Sequence, residues 1–374
     1  MDMKTQVIPS DSASPWAAAR VGAAALRDGK LVGFATETVY GIAVNAARPD
    51  ALERLRELKS RPARPFSLHV GRPEMIYRYV ADPPELARRL IDKALPGPLT
   101  LLLPVGGSFA ADSPGGRDPA LYDRLVCDGV LGVRCVAEPT AQAMLDAVED
   151  PVVAPSANLA GRPSPRSAAD VLADLDGNID LLIDSGPTRY GRDSTIVDFT
   201  GPEWRIVRAG VIDERMIQKM LARLYVFVCT GNTCRSPMAE GLARVLLARR
   251  LGVAVKDLAS RGVEVVSAGI YASEGSWASP EAVIAASAFG ADISAHRSRQ
   301  LTTELIQSAD LVFCMTDHHV EQAVGLAPRA ASRIVRLDPR GDVSDPIGGD
   351  VSEYRDTAAQ IAEAFAHRLD RGLP

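Results

Sequence analysis

Cys229 and Arg235 stand six positions apart in the stretch VFVCTGNTCRSPMAE, residues 226–240. A cysteine thiolate can attack an electrophile, and a guanidinium fork can hold two oxygens of one anion. The β-branched and aromatic run at 225–228 delivers Cys229 into a polar loop. That loop is long enough to turn its backbone N–H groups toward a single anion. Ser236 and Pro237 then open a helix, with Ser at the N-cap and Pro at the first helical position. Converging amides and a helix N-terminus make a phosphate cradle, and the same field stabilises a thiolate. The chemistry indicated is nucleophilic attack on phosphorus. A lone cysteine at a strand end would read as core packing. The C-x5-R-S pattern at a strand–loop–helix junction lifts Cys229 above that reading. A nucleotide-binding P-loop fits poorly, because its Gly-Lys-Ser/Thr end is absent.

A second constellation lies near residue 60. Arg54, Arg56, Lys59, Arg61 and Arg64 crowd the end of one amphipathic segment. Such a cluster is most often a solvated helix face. Pro62, however, stops the helix and presents Lys59 and Arg61 together, which suits a triphosphate. Further on, Ser156 and Asn158 emerge from the apolar run 151–154, where they bind a ligand or cap a turn. His69, in Leu-His-Val, reads alone as a satisfied strand histidine.

The elements that must position these residues follow from the pattern. A helix at 16–28 stops at Gly29, and a strand at 31–35 leads into the turn 36–38. A helix at 50–59 carries Leu52, Leu55 and Leu58 on one face, with Asp50 as N-cap. Apolar runs at 67–70, 99–105, 130–136 and 151–154 alternate with helical stretches at 84–94 and 139–148. Strands at 181–183 and 195–199 and a helix at 212–222 complete an α/β domain whose strand order the pattern does not reveal. From 225 onward strand and helix alternate: strands at 225–228, 263–266, 311–315 and 334–337, and helices at 237–251, 279–289, 302–307 and 353–370. That alternation predicts a small parallel, doubly wound sheet. Residues 1–15, polar and proline-containing, are expected to be disordered.

The chain has 374 residues, 47% apolar and 24% charged, with a net charge of −5. This is a globular composition of about two domains, and it argues against a strongly basic nucleic-acid binder. No apolar run approaches the ~20 residues of a membrane span. The N-terminus lacks the apolar core of a signal peptide, so a cytoplasmic location without membrane partners is expected. Reduced cysteines follow from that. Cys229 and Cys234 read as reactive, and Cys127, Cys135 and Cys314, in apolar runs, read as core. No residues stand at zinc-ligand spacing, and no metal site is expected.

Residues 223 to the end resemble the low-molecular-weight protein tyrosine phosphatase family. Beyond the loop, the resemblance rests on SAG at 267–269, DISAHRSRQLT at 292–302, the stretch at 309–316 with His319 after it, and Asp345-Pro346. It implies that Cys229 is the nucleophile, that Arg235 binds the phosphoryl oxygens, and that Asn232, Thr233 and Ser236 support the loop. It implies Asp345 as general acid and then general base, on a mobile DPIGGD loop. Cys234, five residues after Cys229, is a candidate redox partner that could trap an oxidised Cys229 as a disulfide. Position 233 is Thr, as in the protein-arginine phosphatase branch, where relatives acting on phosphotyrosine usually carry a branched aliphatic. The reading leans to phosphoarginine, with phosphotyrosine left open. An arsenate reductase on this fold is weaker, because no downstream cysteine pair accompanies Cys314.

Residues 16–221 resemble the YrdC-like threonylcarbamoyl-AMP synthases. The K-x-R…S-x-N signature is joined by TETVYG at 36–41, PGPLT at 96–100, SANLAGRPSP at 156–165, GRDST at 191–195 and RAG at 208–210. The resemblance implies a twisted open α/β sheet and synthesis of threonylcarbamoyl-AMP from L-threonine, bicarbonate and ATP, for threonylcarbamoyladenosine formation in tRNA. Lys59, Arg61, Ser156, Asn158, Ser164 and Arg208 would contact ATP. Thr38, His69, Arg134 and Ser194 would hold threonine. Magnesium would arrive on the ATP phosphates, with no bound prosthetic group. Expected partners are the small substrates, a phosphoprotein, and tRNA or the threonylcarbamoyl-transferase machinery. The expected architecture is two α/β domains, 16–221 and 222–374, forming a bifunctional enzyme. The alternative is a phosphatase whose first half is only a nucleotide- or RNA-binding regulatory module.

Overall fold

The computed structural model describes residues 4–11, 14–60, 65–106, 109, 113 and 118–372. It divides into two compact units, Met1–Leu221 and Ala222–Pro374.

Among the described residues, eleven strands of the first unit join one mixed sheet. They are β1 (Gln6–Pro9), β2 (Val32–Phe34), β3 (Gly41–Asn45), β4 (Leu68–Val70), β5 (Leu99–Pro104), β6 (Val126–Cys127), β7 (Val130–Cys135), β8 (Val152–Val153), β9 (Leu181–Asp184), β10 (Thr195–Asp198) and β11 (Arg205–Arg208). The order is β1-β9-β2-β3-β8-β4-β7-β5-β10-β11, with β6 hairpinned onto β7. Parallel pairs such as β4·β7 and β5·β10 are mixed with antiparallel pairs such as β3·β8 and β5·β7. Successive side chains of a strand face opposite sides of the sheet. Ile42 and Val44 accordingly join one apolar core with Leu52, Leu55 and Leu68, while Ala43 joins another with Leu26 and Met144.

Three local expectations are corrected here. Residues 6–9 are not disordered. They form the edge strand β1, parallel to β9, and the buried Thr5 donates its hydroxyl to the Ile179 carbonyl. An edge strand needs only one neighbour and tolerates Pro9, so polar composition hid it. Asp50 is not the N-cap of its helix. Pro49 takes the first helical position, the cap falls at Arg48, and Asp50 lies in the first turn. Cys127 is exposed rather than core. It stands beside a tight turn in which Asp128 (φ 52°) and Gly129 (φ 72°) are both left-handed, and Val126 takes the inward place.

The second unit has four parallel strands: β12 (Arg223–Cys229), β13 (Val263–Gly269), β14 (Leu311–Cys314) and β15 (Ile334–Arg336). Their order is β13-β12-β14-β15. Tyr225, Phe227 and Cys229 face one core with the helices Arg235–Leu251 and Val351–Asp370, and Val226 and Val228 face the other. Phe227, Phe313 and Phe365 pack edge and face at the centre of the first core. The sheet is doubly wound, as the alternation predicted. Its winding reverses between β12 and β14, where such folds open a crevice beyond the carboxyl ends of the strands. Cys229 is the last residue of β12. Among the described residues, no helix is long and apolar enough to cross a membrane.

Candidate active sites

The loop after β12 closes on the Cys229 sulfur. The Asn232 backbone N–H donates to Sγ at 3.3 Å, and the Ser236 hydroxyl lies 3.0 Å away. Asn232 achieves this in a left-handed conformation, φ 55°. Gly269, in SAG, lets the loop sit down on β13: a Cβ there would come within 2.6 Å of the Thr230 carbonyl and 2.9 Å of the Asn232 nitrogen. The helix begins two residues earlier than its motif indicated. Its N-cap is Cys234 and Arg235 is its first residue. Ser236 is therefore not the cap, because its hydroxyl is turned onto the Cys229 sulfur instead.

Arg235 is 5% exposed and reaches across to the loop after β15. There its Nη2 meets Asp345 Oδ2 at 2.6 Å, while Asp345 keeps 46% of its side chain exposed. The Arg235–Asp345 pair thus ties the 229–236 stretch to the loop after β15. Thr233 is partly exposed. Cys234 is buried among hydroxyls, 3.3 Å from Tyr354 OH and 3.6 Å from Ser279 Oγ. Burial, and then the bond to Cys234, push the Tyr354 phenol up to about 12.

Several supporting residues lay outside the sequence assignment. Ser267 and Arg299 hold the Asn232 side chain, and His296 reaches its backbone carbonyl at 2.8 Å. The motifs at 267–269 and 292–302 contain these residues, so the signal was present without its meaning. His319 is clamped between the hydroxyls of Thr230 (2.9 Å) and Thr316 (2.7 Å). Burial, helped by Arg235, pulls its imidazole down to about 4.

The first unit contains a cavity of about 480 Å³ lined in part by Lys59, His69, Arg134, Ser156, Ser194 and Arg208. Arg134 is brought there by β7, and His69 by its partner β4. Its Nη2 donates to Thr38 Oγ1 (2.6 Å), Glu37 Oε1 (2.9 Å) and Thr36 Oγ1 (3.2 Å). Its Nε is buried with no hydrogen-bond partner among the described residues. A buried, unmatched donor is costly, so this atom is suited to receive a ligand oxygen. His69 is buried, and burial plus Arg134 pull it to about 3, leaving a neutral ring beside a cation. Arg208, which also lines the cavity, clasps Ser194, with Nη2 2.8 Å from its carbonyl and 2.9 Å from its hydroxyl. Burial draws Arg208 below the ordinary guanidinium range.

Lys59 Nζ donates to the Ser156 carbonyl (3.0 Å) and to Asn158 Oδ1 (3.1 Å), and Ser156 Oγ donates to the same oxygen at 2.6 Å. The separated halves of the K-x-R…S-x-N signature are therefore in contact. Ser164 stands beside this region, donating to Asp193 at 2.9 Å. Arg61 lies outside the described residues. The motif RAG closes the wall: a Cβ on Gly210 would collide with the backbone of Ser194 and Thr195. Glu37 was missed as a site residue although it stands in TETVYG. Its Oε1 pairs with Arg134 and its Oε2 accepts from the Ala137 N–H at 2.9 Å.

Two family models match, one on either side of the division between the units. Residues 24–210 match the Sua5/YciO/YrdC family model, described as telomere recombination. Residues 225–371 match the model for low molecular weight phosphotyrosine protein phosphatase. A threonylcarbamoyl-AMP synthase of Pyrococcus abyssi is 37% identical over 227 residues, 60% of this chain and 63% of that protein. This chain spans about three fifths of that relative and of the corresponding Bacillus subtilis protein. A protein-arginine-phosphatase of Bacillus subtilis is 40% identical over 144 residues, 37% of this chain and 89% of the relative. The crystal structure of P. abyssi Sua5 complexed with L-threonine aligns with a TM-score of 0.51 and 26% identity, covering 71% of this chain and 92% of that one.

Proposed function

We propose, for a chain that belongs to the Sua5/YciO/YrdC family over residues 24–210 and to the low-molecular-weight phosphatase family over residues 225–371, two enzymatic activities on one polypeptide. The first unit makes threonylcarbamoyl-AMP from L-threonine, bicarbonate and ATP, for the threonylcarbamoyladenosine of tRNA. The second hydrolyses phosphorylated residues of proteins through a phosphocysteine. Both are cytoplasmic.

In the first unit, the observation that carries the reading is Arg134, which lines the cavity and whose buried Nε has no hydrogen-bond partner among the described residues. A threonine carboxylate satisfies it, with Thr38, the neutral His69 ring and Ser194 around the rest of the amino acid. The threonine amine and bicarbonate give a carbamate and water. The carbamate oxygen attacks the α-phosphorus of ATP, and pyrophosphate leaves. Lys59, Arg61, Ser156, Asn158, Ser164 and Arg208 hold the nucleotide, and magnesium enters on its phosphates.

In the second unit, the Cys229 thiolate attacks phosphorus while Arg235 and the loop amides hold the oxygens. The substrate anion takes over the Arg235 fork. Asp345, released from its salt bridge, takes a proton from solvent and passes it to the leaving group. It then removes a proton from the water that attacks the phosphocysteine. The Thr233 hydroxyl and the likeness to the Bacillus subtilis protein-arginine-phosphatase favour phosphoarginine over phosphotyrosine.

Two assays test this. Pyrophosphate release from ATP should require both threonine and bicarbonate and vanish in Lys59→Ala. ATP binding without that turnover would replace the synthase reading with a nucleotide-binding module. Vanadate-sensitive hydrolysis should be fastest on phosphoarginine peptides, in a panel with phosphotyrosine and phosphoserine, and be absent in Cys229→Ser. Activity retained in Cys229→Ser would sink the phosphocysteine mechanism.

A further inference from the structure

The loop after β15 is held differently on the two sides of Asp345. Before it, Val343 is 1% exposed in the core, and its N–H donates to the Met315 carbonyl at 2.8 Å. After it, the chain turns back on itself. The Ile347 N–H donates to Asp345 Oδ1 at 3.3 Å, and the Gly349 N–H to the Pro346 carbonyl at 2.9 Å. Ile347 is exposed there, and Gly348 is left-handed at φ 83°. The backbone of Asp345 is therefore placed from the side of Val343.

Two peptide units flank Val343, and one side chain reaches both. Gln360, on the helix Val351–Asp370, donates from Nε2 to the Asp342 carbonyl at 3.1 Å. Its Oε1 accepts from the Ser344 N–H, also at 3.1 Å. The same side chain hydrogen-bonds the buried Asp338 carboxylate. One orientation of the amide meets these demands: the oxygen faces the N–H, and the NH2 group faces the carbonyl and the carboxylate.

A peptide unit is planar, so a bond at either end fixes the whole of it. The Asp342–Val343 unit is held by Met315 at its N–H and by Gln360 at its carbonyl. The Val343–Ser344 unit is held by Gln360 at its N–H and by Arg235 Nη1 at its carbonyl, 3.4 Å away. That guanidinium also pairs with Asp345 through Nη2. A phosphoryl group in the Arg235 fork competes for both donors. Gln360 is then the remaining side-chain hold on the Val343–Ser344 unit among the described residues.

We propose that Gln360 is a positioning residue for Asp345: it keeps the two peptide units around Val343 in place while Arg235 is engaged by phosphate, so the carboxylate turns toward the leaving group on a fixed backbone. The effect on catalysis rests on the phosphatase reading; the hold on the loop does not.

The test compares the native chain with Gln360→Ala and Gln360→Glu. The second substitution keeps the acceptor for Ser344 but loses the NH2 group and sets a negative charge against Asp338, so its effects should be larger. One readout is amide hydrogen exchange, resolved by peptide, over residues 339–350. The other is kcat/KM for two aryl phosphates: phenyl phosphate, whose leaving group needs a proton, and dinitrophenyl phosphate, whose leaving group does not. Gln360→Ala should speed exchange over 339–350 about tenfold. It should lower kcat/KM for phenyl phosphate about tenfold and leave that for dinitrophenyl phosphate within about twofold. Unchanged exchange over 339–350 in both variants overturns the proposal. So do native rates on both substrates, and so does an equal fall on both, which would mean a collapsed pocket rather than a misplaced acid. Should one variant fail to fold, the other decides by the same two readouts. Faster exchange in a chain that hydrolyses neither phosphate supports the hold on the loop and sinks the phosphatase reading instead.

Discussion

Each unit centres on a buried arginine held by a carboxylate, and the two carboxylates differ in one respect. Arg134 is paired with Glu37, which is 5% exposed and also bonded to the Ala137 backbone. Arg235 is paired with Asp345, whose side chain is 46% exposed at the loop after β15. A counter-ion buried on a rigid turn stays with its cation and orients it. A counter-ion on an exposed loop can leave when a better anion arrives. Under the proposed functions, the first arrangement suits a fixed carboxylate receptor and the second a general acid that must move.

The comparison breaks first at the carboxylates themselves. Asp345→Asn should lower phosphatase kcat by about 10²–10⁴. It should leave the melting of the second unit almost unchanged and bind vanadate at least as tightly, because Arg235 no longer has to be freed. Glu37→Ala should do the reverse. Leaving Arg134 buried without its partner should destabilise the first unit by about 3–5 kcal/mol, read as its own calorimetric transition, and raise KM for threonine. If Asp345→Asn melts its unit as severely as Glu37→Ala melts the other, the two pairs play the same structural role and the distinction fails.

Glycines that let backbone meet backbone sharpen the same contrast at smaller cost. A Cβ on Gly210 would collide with the backbone of Ser194 and Thr195, and a Cβ on Gly269 with Thr230 and Asn232. Either change to Ala should cost about 1–3 kcal/mol of strain, the larger share at Gly210, where the contacts are tighter. Gly269→Ala should also slow Cys229 alkylation and leave pyrophosphate release untouched.

What the sequence made readable follows the spacing of the parts. Cys229, Asn232, Arg235 and Ser236 lie in eight consecutive residues, so strand, loop and helix could be inferred with their chemistry. Thr38, Arg134 and Ser194 come from separate segments that the sheet order unites. That order runs β3-β8-β4-β7, which no local pattern encodes. They were reachable through family resemblance alone. Ser236 was misread as a cap because its hydroxyl has a second use that spacing does not reveal. Gln360 was invisible for a related reason: a polar residue in a helix reads as solvent-facing until its partners, the Asp342 carbonyl and the Ser344 N–H, are known.

The smallest effect is a difference in acid sensitivity. Burial and a neighbouring arginine pull His69 to about 3 and His319 to about 4, from an ordinary 6.5. Each folded unit therefore keeps its histidine neutral, while the unfolded chain takes up a proton below pH 6.5. The contribution to stability is fully present above pH 6.5 and is lost as pH falls toward the folded value. Each loss runs at about 1.4 kcal/mol per pH unit. Denaturant melts of the wild type and of His69→Gln or His319→Gln, taken from pH 7 downward, isolate the term as a wild-type-minus-variant difference. For the second unit that difference should stop changing near pH 4, where the folded His319 itself accepts a proton. For the first unit it should go on falling to about pH 3. Differences that level off at the same pH would mean that His69 is no more shielded beside Arg134 than His319 is beside Arg235.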